Sequence, residues 1–142
     1  MEHKDINILL VEDDEVDVMN VRRAFKRNSI QNPLYVASNG IEALEMLRGQ
    51  SEAKPMPAKR RLILLDLNMP RMGGIEFLHQ LRADTDLRMT PVIVLTTSNQ
   101  DKDRVEAYHL NVAGYILKPV TFSNFAETMA TLNRYWSLCE LP

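Results

Sequence analysis

The sequence predicts an α/β fold, in which a doubly wound, five-stranded parallel sheet is covered by helices on both faces. Two observations predict it. Five short apolar runs alternate along the chain with stretches of helical period, and such alternating units are typical of a parallel sheet with right-handed crossovers. Three of the runs, at 8–11, 62–65 and 92–95, are continuously apolar, as expected of strands that are covered on both faces.

Each predicted strand corresponds to one apolar run, and the runs lie at 6–11, 34–37, 62–65, 92–95 and 113–117. The first helix is predicted to begin at Asp13 or Asp14, because carboxylates are good N-caps. The second follows a Ser-Asn-Gly boundary at 38–40, and the third follows the two glycines at 73–74.

The last two helices differ in the strength of their patterns. The fourth is the weakest because only Val105 and Tyr108 give it an apolar face, although Ser98 and Asn99 supply a start signal. The fifth is the clearest, with apolar residues at i, i+3, i+4, i+7 and i+10. These residues are Phe122, Phe125, Ala126, Met129 and Leu132. Thr121 precedes them and is a suitable N-cap.

Length and composition indicate one domain over residues 1–142. The chain is 45% hydrophobic and 25% charged, which is typical of a folded domain of this size. We expect the core at about 5–135, an exposed loop at 49–61, where prolines and basic residues gather, and a short tail at 136–142.

Charge and cysteine content exclude several classes of protein. The 17 basic and 19 acidic residues give a net charge of −2, which argues against a dedicated nucleic-acid binder. The single cysteine cannot form an intramolecular disulfide, and no apolar run approaches the ~20 residues of a membrane-spanning helix. The first residues lack the apolar segment of a signal peptide. We therefore expect a cytoplasmic protein with neither nucleic acid nor membrane as a partner.

Polar side chains follow four of the five predicted strands at the same end, where open α/β sheets bind their ligands. They are Glu12, Asp13 and Asp14 after the first strand, Asp66 after the third, Thr96 after the fourth and Lys118 after the fifth. Clustered carboxylates repel one another unless a cation joins them, and oxygen ligands suit Mg²⁺ or Mn²⁺. A carboxylate beside such a metal can attack a phosphoryl group, whose oxygens an ammonium and a hydroxyl would stabilise. The set predicts a phosphoryl-acceptor site.

The same motifs resemble the receiver domains of two-component response regulators over residues 5 to about 135. The matching segments are ILLVEDD at 8–14, LLDLNMP at 64–70 followed by the glycines at 73–74, VIVLTT at 92–97 and GYILKP at 114–119. The intervals from Asp66 to Thr96 and from Thr96 to Lys118 are the usual ones in that family. The resemblance implies a flavodoxin-like, CheY-like fold with the strand order 2-1-3-4-5.

The resemblance also implies roles for individual residues. Asp66 would be phosphorylated, and Lys118 would contact the phosphoryl oxygens. Thr96 and Tyr115 would be the two switch residues. Thr96 would be drawn towards the new phosphate, and Tyr115 would then swing inward. The bond between Lys118 and Pro119 is usually cis in the family.

A metal site is implied by the resemblance as well. Asp13 would bind Mg²⁺ (or Mn²⁺) directly, Glu12 would reach it through water, and Asp66 and the backbone carbonyl of Asn68 would complete the protein ligands. Mg²⁺-dependent aspartate phosphatases need a second aspartate at the position of Asn68, so we expect no turnover enzyme. The chain would catalyse only its own phosphorylation and dephosphorylation.

Four segments together resemble the response regulators paired with cyanobacterial phytochromes. They are the basic loop at 49–61, LDLNMPR at 65–71, LTTS at 95–98 and KPV at 118–120. We therefore expect the phosphoryl donor to be a sensor histidine kinase, with a bacterial phytochrome as the candidate. Since no output domain is recognised, the signal would pass by contact to an unidentified downstream protein. The fourth helix, fifth strand and fifth helix form the candidate face for a homodimer.

Other functions remain as alternatives. The protein could be an intermediate or a phosphate sink in a phosphorelay, or an unphosphorylated scaffold. A flavin carrier shares the topology, but the acids at 12–14 would repel a flavin phosphate. A dinucleotide site is excluded because no Gly-x-Gly-x-x-Gly motif follows a strand.

Overall fold

The computed structural model of the protein describes residues 5–142, so the first four residues of the predicted domain lie outside the described residues. Within this range five strands alternate with five helices. The strands are β1 (Asn7–Val11), β2 (Leu34–Ala37), β3 (Arg61–Leu65), β4 (Val92–Thr96) and β5 (Gly114–Leu117). The helices are α1 (Glu15–Arg27), α2 (Gly40–Leu47), α3 (Gly74–Ala83), α4 (Asp101–His109) and α5 (Phe122–Leu138).

The strands form one parallel sheet in the order β2-β1-β3-β4-β5, which confirms the predicted doubly wound fold and its strand order. Strands β1, β3 and β4 are buried along their whole length, as their continuous apolar runs predict. Strands β2 and β5 form the two edges and are mostly half-buried.

Side chains of the central strands alternate between two cores, one on each face of the sheet. Leu9 and Ile63 point into the core that packs against α2 and α3. Ile8 and Leu64 point into the core that packs against α1 and α5. Burial on both faces holds the sheet in place, and its carboxyl edge stays free to carry polar side chains.

Helix starts follow the predicted caps in three cases. The side chains of Asp14, Asn39 and Thr121 accept hydrogen bonds from backbone N–H groups in the first turns of α1, α2 and α5. The predicted start of α4 at Ser98 or Asn99 is wrong by one or two residues, because Gln100 is the N-cap. No helix in the described part of the chain is long and apolar enough to cross a bilayer.

The segment at 49–61 is not exposed throughout, which corrects the predicted loop. Arg61 belongs to β3 and is buried. Its guanidinium donates to the carbonyls of Pro57, Leu47 and Met56 at 2.6, 2.9 and 3.3 Å. Since arginine carries five N–H donors, one side chain satisfies two carbonyls of the loop and the last carbonyl of α2. The side chain of Met56 is buried as well.

The predicted tail at 136–142 begins later, because α5 continues to Leu138. Trp136 lies four residues after Leu132 on the same buried face, and its ring lies 6.1 Å from that of Phe25 in α1, centroid to centroid. The stripe of apolar residues is therefore one helical turn longer than predicted. Trp136 holds α5 against α1.

The peptide bond between Lys118 and Pro119 is trans, as are the other peptide bonds of residues 5–142. The expected cis bond is therefore not found. The trans form is the favoured one for a prolyl bond, by ~0.5–1 kcal/mol.

Candidate functional site

The parallel register brings the ends of the central strands to one edge of the sheet. Val11 pairs with Leu65 at the ends of β1 and β3, and the Asp66 N–H donates to the Val11 carbonyl at 3.0 Å. At the other side of the site, the Lys118 N–H donates to the Thr96 carbonyl at 2.8 Å. The backbone ladder thus places the residues that follow four strands side by side.

Three carboxylates meet at this edge. An oxygen of Glu12, one of Asp13 and one of Asp66 all lie within 4.8 Å of one another. Glu12 and Asp66 are buried and Asp13 is exposed. Such an oxygen-only set is what a hard divalent cation prefers, and the cation would offset the repulsion between the acids. The donor set fits Mg²⁺ or Mn²⁺.

Asn68 lies two residues after Asp66 in the turn that leads towards α3, and it is exposed. The family resemblance implies that its backbone carbonyl is a metal ligand beside Asp13 and Asp66. The role of this carbonyl stays a prediction.

Lys118 enters the site from the end of β5 and faces the acids. Its ammonium forms a hydrogen-bonded ion pair with Glu12, a second one with Asp17 at 3.0 Å, and lies 3.9 Å from Asp66 Oδ1. The Lys118 side chain is only 11% exposed. Although burial lowers the pKa of the amine, the facing carboxylates raise it, and the net result is a pKa above the usual value. Lys118 is a fixed cation at neutral pH.

Glu12 is the most deeply buried acid of the group, with a side chain 3% exposed. Burial raises its pKa to about 7, because the charged form loses its water; the bond from Lys118 and its positive charge lower the pKa only in part. The second oxygen, Oε2, accepts the backbone N–H of Asp14 at 3.3 Å.

Asp17 belongs to the site, although the sequence analysis missed it. It lies in the first turn of α1, three residues after the N-cap Asp14. An acid in the first turn of a helix ordinarily indicates only a favourable interaction with the helix dipole. Its position in the sequence therefore did not indicate an ion pair with Lys118. Nothing in the local sequence relates it to a residue 101 positions away.

Thr96 and Tyr115 are linked through Ser98. The Thr96 hydroxyl donates to Asp66 Oδ1 at 2.8 Å and accepts the Ser98 N–H at 3.3 Å. The Tyr115 hydroxyl donates to the Ser98 carbonyl at 2.8 Å, and the Ser98 hydroxyl donates to Asp103 in α4 at 2.7 Å. The movements of Thr96 and Tyr115 that the family resemblance implies stay a prediction.

Gly74, the first residue of α3, lets this helix approach the site. A Cβ atom there would lie 2.7 Å from the Asp66 carbonyl oxygen and 2.7 Å from the Leu67 Cα. Both are backbone atoms, and moving them would cost free energy because the whole turn would have to shift. The preceding Gly73 has more room, since its nearest neighbours would lie at 3.5 and 3.6 Å. Gly74 is thus needed for the close packing of the turn that holds Asp66.

Comparison with known proteins places the chain among signalling domains. Residues 8–130 match the response regulator receiver domain family. The probable methanogenesis regulatory protein FilR2 of Methanothrix harundinacea is 37% identical over 130 residues, which are 91% of this chain and 82% of that protein. The response regulator Rcp1 of Synechocystis is 34% identical over 129 residues, which are 91% of this chain and 87% of Rcp1.

Solved structures agree with this match. The phosphorylated cyanobacterial phytochrome response regulator RcpA has a TM-score of 0.85 at 31% identity, covering 98% of this chain and 99% of RcpA. The Mn²⁺-bound form of Rcp1 has a TM-score of 0.84 at 34% identity, covering 96% of this chain and 99% of the Rcp1 chain.

Proposed function

Because the chain belongs to the family of response regulator receiver domains, we propose that it accepts a phosphoryl group on Asp66 from the phosphohistidine of a sensor histidine kinase. The observation that supports this most is the setting of the Asp66 carboxylate. It lies beside the Lys118 ammonium, accepts the Thr96 hydroxyl and adjoins Glu12 and Asp13. A nucleophile, a cation and a hydrogen-bond donor thus surround one position.

The transfer would use the oxygen of Asp66 that Thr96 leaves free. Oδ1 accepts the Thr96 hydroxyl, and Oδ2 accepts no hydrogen bond from the described residues. In the proposed step Oδ2 forms a bond to phosphorus while the phosphorus–nitrogen bond of phosphohistidine breaks, and the imidazole nitrogen keeps the electron pair. Lys118 and Thr96 would then donate to the phosphoryl oxygens, where negative charge is concentrated.

Mg²⁺ would be held by Asp13, Glu12 (through water), Asp66 and the Asn68 carbonyl. When bound, the cation neutralises charge on the transferred group and on the acids around it. Mn²⁺ is a candidate replacement, since Rcp1 has a Mn²⁺-bound form.

The signal would leave the site through Ser98. Its backbone and side chain contact Thr96, Tyr115 and Asp103 of α4. A phosphoryl group that competes for the Thr96 hydroxyl would alter the first of these contacts, and the others would follow. We propose a shift in population between two packings of α4 and β5, because the three contacts join both elements to the site.

The proposed partners are a sensor kinase and an unidentified downstream protein. A phytochrome kinase is the candidate donor, because RcpA is a cyanobacterial phytochrome response regulator. The proposal places the exchange in the cytoplasm and includes neither nucleic acid nor membrane. Profiling phosphotransfer from a panel of purified kinases tests the donor, and a phytochrome kinase that transfers no faster than unrelated kinases would contradict the pairing.

The proposed homodimer face includes Val105 and Tyr108 of α4 and Leu117 of β5, all of which are exposed. Sedimentation of the protein with and without acetyl phosphate tests it. A monomer under both conditions would contradict the homodimer.

Incubation with acetyl phosphate and Mg²⁺ tests the central proposal. The expected result is one acid-stable, base-labile phosphate on the parent chain and none on Asp66→Asn. The matched control is Asp86→Asn, which removes an exposed acid away from the site and should be labelled like the parent. An unlabelled parent, or a labelled Asp66→Asn variant, would contradict the proposal.

The same incubation separates the alternatives. Sustained release of phosphate from added phosphate esters would indicate a phosphatase and contradict the view that no turnover enzyme is present. An unlabelled but folded parent would favour the scaffold. Transfer of the label onward to a second histidine protein would indicate a relay intermediate.

A further inference from the structure

The ammonium of Lys118 is held by two acids that are not its proposed target. Its bonds go to Glu12 and to Asp17, the latter at 3.0 Å, while Asp66 Oδ1 lies at 3.9 Å. The last distance is too long for a hydrogen bond. An ammonium has three N–H donors, so two are already used before any phosphoryl group arrives.

Asp17 is free for this contact because it is not needed by its own helix. An acid at the third helical position often accepts the backbone N–H of the N-cap residue. Here that N–H, on Asp14, donates to Glu12 Oε2 instead. The N-cap side chain of Asp14 itself accepts the N–H groups of Val16 and Asp17. The Asp17 carboxylate therefore has Lys118 as its hydrogen-bonding partner.

We propose that Asp17 is a positioning residue that restrains Lys118 and thereby opposes occupation of the site by a phosphoryl group. This inference rests on the proposed function. The ion pair between Lys118 and Asp17 stabilises the unphosphorylated chain, because the ammonium turns away from Asp17 when it binds a phosphoryl oxygen. Once a phosphoryl group is bound, Asp17 also adds a negative charge beside an incoming anion. Both effects favour the unphosphorylated state.

The surroundings of the pair allow Lys118 to be released. A cavity of about 280 Å³ lies beside Asp17 and Lys118, between α1 and the start of α5. The Asp17 side chain is 37% exposed, against 11% for Lys118. When the ammonium turns to a phosphoryl oxygen, Asp17 is left in contact with water rather than buried without a partner. The exchange needs no repacking of the core.

The role of Asp17 is tested by titration with beryllofluoride, which occupies a phosphoryl site, at saturating Mg²⁺ and with the backbone amide signals as the readout. Asp17→Asn should lower the half-saturating beryllofluoride concentration about fivefold, the effect of one partly exposed ion pair. Asp17→Glu keeps the carboxylate and should restore the parent value. The matched control is Glu15→Gln, which removes one exposed acid from the same helical turn and should leave the value within about twofold.

Mg²⁺ affinity, measured without beryllofluoride, separates a local effect from a general one. It should change by the same small factor in Asp17→Asn and in Glu15→Gln. The inference is overturned if Asp17→Asn binds beryllofluoride like Glu15→Gln, or more weakly, or if Asp17→Glu behaves like Asp17→Asn. A folded parent that binds no beryllofluoride would instead contradict the proposed function, so the two failures are distinguishable.

Discussion

At the scale of single residues, the site depends on charges held close together in a poorly hydrated place. Glu12 is the clearest case, because burial raises its pKa to about 7 even though Lys118 bonds to it. A proton, the ammonium and a divalent cation therefore compete for one carboxylate near neutral pH. The neutral carboxyl favours folding below its ordinary pKa of 4.5, and this contribution is lost as the pH rises through about 7.

The pKa of Glu12 predicts that Mg²⁺ affinity depends on pH. Since the water-mediated contact of Glu12 with the cation needs the charged carboxylate, the apparent affinity should rise by up to about tenfold from ~pH 6 to ~pH 8. Titrations with Mg²⁺ at several pH values, followed by amide signals, measure it. Glu12→Gln should bind Mg²⁺ more weakly and with a flatter pH profile. A parent whose affinity is the same across this range would show that Glu12 does not limit binding.

The two glycines before and at the start of α3 predict losses of different size for the same substitution. Gly74→Ala should lower the free energy of unfolding by ~1–3 kcal/mol, because the new methyl group meets backbone atoms of Asp66 and Leu67 at 2.7 Å. Gly73→Ala should lower it by less, ~0.5–1 kcal/mol, since φ is −69° and the nearest atoms lie at 3.5 Å, so that only the preference of the N-cap for glycine over alanine is lost. Urea unfolding compares them. Equal stabilities would mean that the turn adjusts without cost.

At the scale of helices and strands, α4 is the helix with the fewest buried residues. Ala107 is its one buried residue, so little apolar burial holds it against the sheet. Its link to the site passes through Asp103, which accepts the Ser98 hydroxyl. A weakly packed helix that is joined by a hydrogen bond to Ser98, which itself contacts Thr96 and Tyr115, is well suited to move, because few contacts oppose local opening.

The Ser98–Asp103 bond predicts a change confined to the first turn of α4. In Ser98→Ala, amide hydrogens there should exchange about fivefold faster, the effect of one lost hydrogen bond. Labelling of Asp66 by acetyl phosphate should persist. Lys102→Ala, in the same turn but exposed, should leave exchange close to the parent rate. Unchanged exchange in Ser98→Ala would exclude this link between site and helix.

At the scale of the whole molecule, packing on the α1–α5 face supports the sheet from the side opposite α2 and α3. Trp136 is fully buried against Phe25, and its indole N–H has no hydrogen-bond partner in the described part of the chain. Its contribution to stability is therefore expected to come from packing alone.

Substitutions of Trp136 test that expectation. Trp136→Ala should lower the free energy of unfolding by ~3–5 kcal/mol through the cavity it leaves. Trp136→Phe should lower it by less, ~1–2 kcal/mol, since no hydrogen bond is lost with the indole. Tyr135→Ala, on the exposed side of the same turn, is the control and should cost under ~1 kcal/mol. If Trp136→Ala were as stable as Tyr135→Ala, contacts other than those of Trp136 would hold α5 against α1.

The fold class could be predicted from local patterns in the sequence, and the family and the strand order from the resemblance of four motifs to receiver domains. Continuous apolar runs mark strands covered on both faces, and polar residues directly after four of them mark one edge of the sheet. The family resemblance is confirmed by the match over residues 8–130. The end of α5 was not predicted correctly, because no helix-ending residue stands before the expected tail. The burial of Arg61 was not predicted either, because a basic residue in a basic cluster is ordinarily exposed.

The sequence by itself therefore determined which residues stand at the carboxyl edge. Thr96 ends a strand, and the others, Glu12, Asp13, Asp66 and Lys118, come directly after one; the strand register then brings them to the same edge. Only the tertiary structure decided how they pair. Lys118 bonds to Asp17 across 101 positions, and Ser98 joins Thr96, Tyr115 and α4. Such contacts depend on where a long side chain ends after the helices have packed, and no local periodicity records that position.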